Sequence, residues 1–319
     1  MVVRASNAAH ETAFTRFSWG VLAYNIAVIL WGAFVRATGS GAGCGNHWPL
    51  CNGAVTPPSP TLHTIIEFTH RTTSGIDVFL VAVLAGWAFR AFPRGNPVRA
   101  GATLSAVFLV TEALIGAGLV LLERVAKNAS GYWSTAHQLN TLALLASLTL
   151  TTFWIGNGKL RIRGPAAWMA GASLLAVALL AVTGVIAALG NTLFPAESLA
   201  QGLAQDFDPG AAIFLRLRVL HPLIAIATGV WLLHYATSSM LRRPEVRRAS
   251  WTLMGLLGAQ ILLGAINLLL LAPVWAQILH LLIADLLWIT LVRLCASMLA
   301  APAYIASSAA INSIPSHKF

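Results

Sequence analysis

The sequence contains little charge. Aspartate, glutamate, lysine and arginine make up 9% of its 319 residues, and only 10 of them are acidic. A soluble domain carries roughly 25% charged residues, so this composition excludes an ordinary water-soluble protein. Hydrophobic residues make up 57% of the chain, and the mean hydropathy is +0.75. We therefore expect a polytopic membrane protein whose main partner is the lipid membrane.

The chain also lacks the alternating pattern of short strands that is typical of a membrane β-barrel. It has eight apolar stretches instead, and a membrane-spanning helix needs about 20 such residues. They lie at about 17–37, 65–89, 100–122, 132–155, 166–190, 210–236, 250–272 and 274–297. Because lipid offers no hydrogen-bond partners to backbone N–H and C=O groups, these stretches must be helical. The prediction is an all-α membrane protein with eight transmembrane helices.

Basic residues indicate the orientation, because they concentrate on the cytoplasmic side. Most of the 20 lysines and arginines fall on the side that holds both termini, which predicts that both termini lie inside. The exceptions are Arg36, Arg71, Arg124, Lys127, Arg216 and Arg218. The net charge of +10 is then explained by topology, and no nucleic-acid partner is needed.

The two halves of the sequence resemble each other. Histidines in the second and fourth spans have counterparts in the sixth and eighth, and the segment 112–118 in the third span matches 260–266 in the seventh. Each half starts inside and has an even number of spans, so the repeat is parallel. We predict two pseudo-symmetric four-helix bundles, comprising residues 1–157 and 158–319, with the boundary in the loop Gly156–Gly164.

Four histidines occupy matching positions near the outer ends of apolar helices: His70, His137, His221 and His280. An ionisable residue inside a membrane is a functional candidate by default. A single histidine there is more often a packed residue, but four at repeat-related positions favour a shared task. Paired neutral imidazoles suit the axial positions of haem iron. The pattern predicts one haem site in each half. His234 has no counterpart in the other half, and we interpret it as structural.

Charged residues distinguish the two histidine pairs. Glu67 lies three residues before His70, on the same helix face, whereas Arg218 takes that place before His221. The carboxylate favours a reacting site in the N-terminal half and an electron-holding site in the C-terminal half. The alternative is that Glu67 only pairs with Arg71, four residues later.

Several further polar residues have a more open interpretation. Arginines at the histidine level are candidate partners for haem propionates, since arginine pairs with carboxylates, or else interfacial anchors. They are Arg36, Arg71, Arg216 and Arg218. The roles of Asp77, Glu112 and Asp285 are not determined by the pattern: each suits an interhelical contact or a proton route.

Two outer loops are long, at 38–64 and 191–209. The first contains Cys44 and Cys51, which could form a disulfide, remain free thiols, or bind a metal with His47. In the second, Asp208 and Pro209 suit the N-cap and first position of the sixth span. Cys295, near the inner end of the last helix, is interpreted as an apolar filler.

Three motifs carry a resemblance to a known family. The run RATGSGAGCGNHWPLCNG at 36–53, the run EFTHR at 67–71 and the run AHQLN at 136–140 resemble haem A synthase. The later His221 and His280 fit the same pattern, so the resemblance covers about residues 17–298.

This resemblance implies an activity. Haem A synthase oxidises the C8 methyl group of haem O to a formyl group, giving haem A for terminal oxidases. By analogy His70 and His137 would hold the substrate haem O, with Glu67 as a catalytic residue beside them. His221 and His280 would ligate a permanent haem b. The cysteines at 44 and 51 match the subgroup that has a disulfide in this loop.

The resemblance also implies partners and a location. A haem O synthase would supply the substrate, and a terminal oxidase or its assembly factors would receive the product. We expect a multi-pass protein of the bacterial plasma membrane, with its haem sites toward the outer side. One alternative is a dihaem cytochrome b-type electron carrier, whose haems usually lie at two depths. A transporter would place its site near the midplane.

Overall fold

The computed structural model describes residues 2–122 and 130–300, and within them the chain is helical. The helices are α1 (Val2–Ala37), α2 (Leu62–Ala91), α3 (Pro97–Leu122), α4 (Ser130–Phe153), α5 (Pro165–Leu193), α6 (Leu199–Phe207), α7 (Ile213–Arg218), α8 (Leu220–Arg242), α9 (Arg247–Leu269) and α10 (Val274–Leu299). These ranges contain isolated bridges but no strand. Arg124, Lys127 and Lys318, which entered the orientation prediction, lie outside the described residues.

Seven helices in the described ranges are long and apolar enough to cross a membrane, so the chain is a multi-pass integral membrane protein. They are Glu11–Ala37, Leu62–Ala91, Pro97–Leu121, Pro165–Leu193, Leu215–Arg242, Pro244–Leu269 and Val274–Leu299. The predicted fourth span, α4, is not among them. The count of eight spans and the inside position of the termini therefore stay predictions.

The composition of α4 has a physical explanation. Its second half is rich in hydroxyl side chains, which lower its hydropathy, and each donates to a carbonyl three or four residues earlier. These residues are Ser147, Thr149, Thr151 and Thr152. The helix packs against α1, α3, α5 and α10. Because protein surrounds α4, it has less need of an apolar surface than a helix that faces lipid.

The long helices pack in two groups with the same connectivity. In the first half α1, α2, α3 and α4 pack in sequence, and α1 also contacts α4; in the second half α5, α8, α9 and α10 do the same, and α5 contacts α10. The halves meet through α1, α4, α5 and α10. One hydrogen bond across this contact runs from the indole N–H of Trp288 to the carbonyl of Leu142, at 2.8 Å. This contact pattern is the one expected of two bundles, while the division at residue 157 stays a prediction.

The tightly packed core lies at one end of the helices. Fully buried side chains follow the histidines by one turn or more on α4, α8 and α10, as in Leu144, Leu148, Tyr235, Leu291 and Leu294. At the level of the histidines the side chains are less buried than in this core, and all four candidate histidines are partly exposed. The helices are therefore less tightly packed at the end where the histidines lie.

The structure corrects the predicted start of the sixth span. Asp208 does not open that helix: it follows α6, and its Oδ1 accepts a hydrogen bond from the Gly210 amide at 2.8 Å, which makes a local turn. A short side chain of this kind competes with helix formation by bonding its own backbone. Helix α7 begins at Ile213, the helix is interrupted at Val219, and α8 begins at Leu220. Pro222 lies in the first turn of α8, where backbone N–H groups have no intrahelical acceptor, so its missing N–H costs no helical hydrogen bond.

Candidate functional site

Each candidate histidine lies against a glycine of the preceding long helix. The pairs are Gly32 with His70, Gly116 with His137, Gly184 with His221 and Gly264 with His280. A methyl group on these glycines would lie 2.9, 3.6, 3.2 and 3.3 Å, respectively, from the nearest imidazole atom. At Gly32, Gly184 and Gly264 a methyl group would be tighter than an ordinary contact of about 3.5 Å, so only glycine lets the ring approach the neighbouring helix this closely; at Gly116 the methyl would make an ordinary contact.

The C-terminal pair has a geometry that suits an iron between two rings. The ring centres of His221 and His280 are 6.5 Å apart, and the ring planes meet at 80°. An ion bonded to one nitrogen of each ring at about 2 Å would place the ring centres roughly 6 Å apart. Thr183 Oγ1 lies 3.1 Å from Nδ1 of His221. Nδ1 of His280 is buried without a hydrogen-bond partner, so its lone pair is available to coordinate an iron.

The N-terminal pair has a carboxylate as its neighbour. Nδ1 of His137 lies 2.7 Å from Oε1 of Glu112, on α3, which leaves Nε2 for a metal. Nδ1 of His70 is buried without a hydrogen-bond partner. Within the described residues no group of three or more histidine, cysteine, aspartate or glutamate side chains could hold a metal ion. Two imidazoles suit haem iron, because the porphyrin supplies its remaining in-plane ligands.

Glu67 lies under the loop 38–64. Its side chain is 4% exposed. Oε1 accepts hydrogen bonds from Nε of Arg71 at 3.1 Å and from Nη2 at 2.5 Å, and Oε2 accepts one from the backbone amide of Cys44 at 2.8 Å. The predicted pairing with Arg71 is therefore present, but it is accompanied by a second contact, with the loop. The catalytic role of Glu67 stays a prediction.

The loop 38–64 is closed by a disulfide between Cys44 and Cys51, as the resemblance implied. Both cysteines are buried. Arg71 holds the residues between them, because its Nη1 donates to the carbonyls of His47 and Leu50, the second at 2.5 Å. The loop, the arginine and the carboxylate of Glu67 thus form one connected unit above the helix that carries His70.

The remaining arginines lie in different settings. Arg36 extends from α1 to the other half, where it donates to the carbonyl of Ala188 at 3.4 Å, Oγ1 of Thr192 at 3.2 Å and Oε1 of Gln277 at 3.3 Å. Its acceptors are neutral, so no carboxylate neutralises its charge in these contacts. Arg216 is exposed.

Arg218 holds the second long loop. Its Nε pairs with the carboxylate of Asp206, Nη1 donates to Oδ1 of Asn191 at 3.0 Å, and Nη2 donates to the carbonyl of Gly202 at 2.9 Å. Arg71 and Arg218 therefore have related tasks in the two halves, since each pairs with an acidic side chain and donates to backbone carbonyl groups of a long loop. Whether any of the four arginines contacts a propionate stays a prediction.

Sequence reasoning left Asp77, Glu112 and Asp285 without roles. Asp77 Oδ2 accepts from Nδ2 of Asn25 at 2.5 Å, which makes it an interhelical contact between α1 and α2. Asp285 is buried, and its Oδ2 has no hydrogen-bond partner. Glu112 contacts His137, a candidate ligand. The repeat alignment of 112–118 with 260–266 already indicated that position 112 is repeated in the second half, as Gln260. The pattern could not show that its side chain points at His137.

Comparisons with known proteins show which family the chain resembles. The family model described as cytochrome oxidase assembly protein (COX15-CtaA) matches residues 15–63 and 60–292. A protein of Thermus thermophilus called protohaem IX farnesyltransferase is 48% identical over 291 residues, which are 89% of this chain and 48% of that protein. The haem A synthase of Halalkalibacterium halodurans is 39% identical over 124 residues, 39% of this chain and 42% of that protein.

A second haem A synthase, from Alkalihalophilus pseudofirmus, is 31% identical over 140 residues, which are 44% of this chain and 46% of that protein. The chain thus spans about half the length, or less, of these curated relatives.

Proposed function

The chain belongs to the cytochrome oxidase assembly protein (COX15-CtaA) family, and from this premise we propose that it is a haem A synthase. The proposed reaction oxidises the C8 methyl group of haem O to a formyl group. It is balanced by one water molecule and releases four electrons and four protons, so the protein needs a substrate site and a route for electrons. Relatives named haem A synthase support a role in haem A biosynthesis.

The observation that carries the proposal is the pair of matching histidine sites with different surroundings. Both sites have a glycine against each imidazole ring. We assign the substrate haem O to His70 and His137, where Glu67 and Glu112 supply carboxylates, and a permanent haem b to His221 and His280. When bound, these haems supply the redox-active iron. The histidines and the residues around them would bind and orient the two haems at the loosely packed end of the helices.

Glu67 is the proposed catalytic residue beside the substrate haem. Its carboxylate is buried and held in place by Arg71 and the Cys44 amide. A fixed negative charge at such a site stabilises positive charge that develops nearby, and a carboxylate can also hold a proton. The loop contacts give Glu67 a defined orientation, which both of these tasks require.

Arg36 is the strongest of the four proposed propionate partners. Its three contacts are with neutral acceptors and are at least 3.2 Å long, whereas Arg71 and Arg218 already pair with acidic side chains. A haem propionate would give Arg36 a bidentate carboxylate partner. Arg36 also lies where α1 meets the second half, so it is within reach of both groups of helices.

The proposed partners follow from the substrate. The Thermus relative is called a farnesyltransferase, and about half of that protein lies outside the match. We propose that this chain receives haem O from a haem O synthase in the same membrane and passes haem A to a terminal oxidase or its assembly factors. The proposed location is the bacterial plasma membrane, with the histidine sites toward the outer side.

Haem extraction and chromatography test the proposal. Membranes would contain this chain alone, a haem O synthase alone, or both proteins. Haem A is expected only when both are present, and the purified chain should retain haem B. Haem B with haem O left unconverted would support the electron carrier instead. Haem O formation by this chain alone would assign it the farnesyl transfer named for the Thermus relative.

A further inference from the structure

The two histidine sites differ most clearly in the side chain that contacts the second histidine of each pair. In the N-terminal half Oε1 of Glu112 lies 2.7 Å from Nδ1 of His137. In the C-terminal half Gln260 takes the same repeat position, and its Nε2 lies 3.1 Å from Nε2 of His280. In both halves one ring nitrogen is contacted from the preceding helix and the other is left for a metal. The contact is a carboxylate in one half and a neutral amide in the other.

Glu112 belongs to a polar network that the surrounding residues complete. Asn140 Nδ2 donates to Glu112 Oε2 at 2.5 Å, and the hydroxyl of Thr141 donates to Oε1. Asn140 is held in turn, since its Oδ1 accepts from Thr111 at 2.6 Å and its Nδ2 also donates to the carbonyl of Phe108 at 2.7 Å. A carboxylate at membrane depth is costly unless such donors surround it.

Among the described residues of the C-terminal half, the matching positions hold no counterpart of this network. With the same repeat alignment, Thr111, Asn140 and Thr141 correspond to Ala259, Ile283 and Ala284. None of these side chains can donate a hydrogen bond. Oε1 of Gln260 is accordingly buried without a partner. The hydrogen-bond donors are therefore present in the half that has the carboxylate and absent at the matching positions of the half that has the amide. The two halves differ at four matching positions: the carboxylate or amide itself and the three residues around it.

A carboxylate that accepts the N–H of a ligating imidazole makes that ligand more electron-rich, which stabilises oxidised iron. A neutral amide has a weaker effect. We propose that Glu112 is a positioning residue that lowers the reduction potential at the His70–His137 site relative to the site of His221 and His280. With haems bound at both sites, this order of potentials would favour electron transfer from the N-terminal site to the C-terminal site. This inference rests on the haem assignment of the proposed function but not on its reaction.

Redox titration of the purified, haem-loaded protein by absorption tests this role. Glu112→Gln should raise the midpoint potential of one transition and leave the other unchanged. The same substitution in a His280→Ala background, which retains only the N-terminal pair, identifies which transition moved. The proposal is overturned if haem stays bound in Glu112→Gln and neither potential moves, or if both move equally.

A transplanted network provides the reciprocal experiment, and it does not depend on the stability of the first variant. Gln260→Glu combined with Ile283→Asn and Ala284→Thr rebuilds the carboxylate and two of its donors in the C-terminal half. The potential of the second transition should fall; an unchanged or raised potential would contradict the proposal. Haem A formation is measured in parallel. If the variants shift the midpoint potentials as predicted but the unsubstituted protein forms no haem A, only the proposed reaction is refuted. If the unsubstituted protein forms haem A but the variants leave the midpoint potentials unchanged, only the role of Glu112 is refuted.

Discussion

The glycine that faces His70 offers a sharp test of the site, because its helix contains a matched control. Gly32 and Gly20 both lie in α1. An alanine methyl at position 32 would lie 2.9 Å from Cε1 and 3.0 Å from Nε2 of His70, whereas a methyl at position 20 would have nothing within 4 Å. The two substitutions are chemically identical, so they differ only in what the methyl meets.

The magnitude follows from contact distances. Either substitution gains up to about 1 kcal/mol of helix propensity. At position 32 carbon atoms prefer about 3.5–4.0 Å, so the His70 ring must retreat by roughly 0.6–1 Å. Ligand geometry has to hold within about 0.5 Å, and a misplacement of about 1 Å costs on the order of 100-fold in rate. We expect Gly32→Ala to be folded and close to the control in stability, but to form haem A roughly 100-fold more slowly.

The assay compares haem A formed per unit of purified protein in membranes that also contain a haem O synthase. Thermal unfolding of the two alanine variants controls for stability, and Gly20→Ala should match the unsubstituted chain. If Gly32→Ala formed haem A as fast as Gly20→Ala, the close approach of His70 to α1 would have no functional meaning. The same comparison in α9 pairs Gly264→Ala with Gly258→Ala, and here retained haem B is the measurement.

Three further predictions concern single side chains. His280→Ala should lose the permanent haem from the purified protein, measured by absorption, while His234→Ala, an exposed histidine on α8, should retain it; equal retention would refute the ligand assignment. Glu67→Ala should block haem A formation with haem B still bound, and normal haem A would make its catalytic assignment wrong. Cys44→Ser should lower haem A formation at least several-fold, because the amide that orients Glu67 belongs to the disulfide loop; limited proteolysis should show a loosened loop, and unchanged cleavage and activity would contradict this coupling.

The connection between the disulfide loop and Glu67 changes how the carboxylate should be studied. Glu67→Ala removes an acceptor from both Arg71 and the Cys44 amide, so its effect combines lost chemistry with a released loop. Breaking a buried pair by removing one partner costs about 3–5 kcal/mol. Glu67→Gln keeps one carbonyl oxygen as an acceptor and removes the charge. Comparing the two variants separates the charge of Glu67 from its role in holding the loop.

The two long loops show where sequence patterns reach their limit. The spacing of Cys44 and Cys51 allowed a disulfide, free thiols or a metal site; an oxidising compartment outside the membrane and the resemblance both favoured the first. In the loop 191–209 the Asp208–Pro209 pair looked like a helix start, but Asp208 bonds its own backbone instead. The outcome at Asp208 depends on a side-chain to backbone contact two residues away, and residue type alone does not determine which of several such contacts forms.

Sequence alone determined the helical membrane class, the positions of the long apolar helices and the four repeat-related histidines. It could do so because lipid permits few backbone structures, and because a duplicated unit leaves matching residues in both halves. Only the tertiary structure decided that each histidine approaches a glycine, that Glu67 contacts the Cys44 amide, and that Glu112 contacts His137. These are contacts between different helices or loops, and their geometry depends on how the helices pack, which hydropathy and spacing along one chain do not encode.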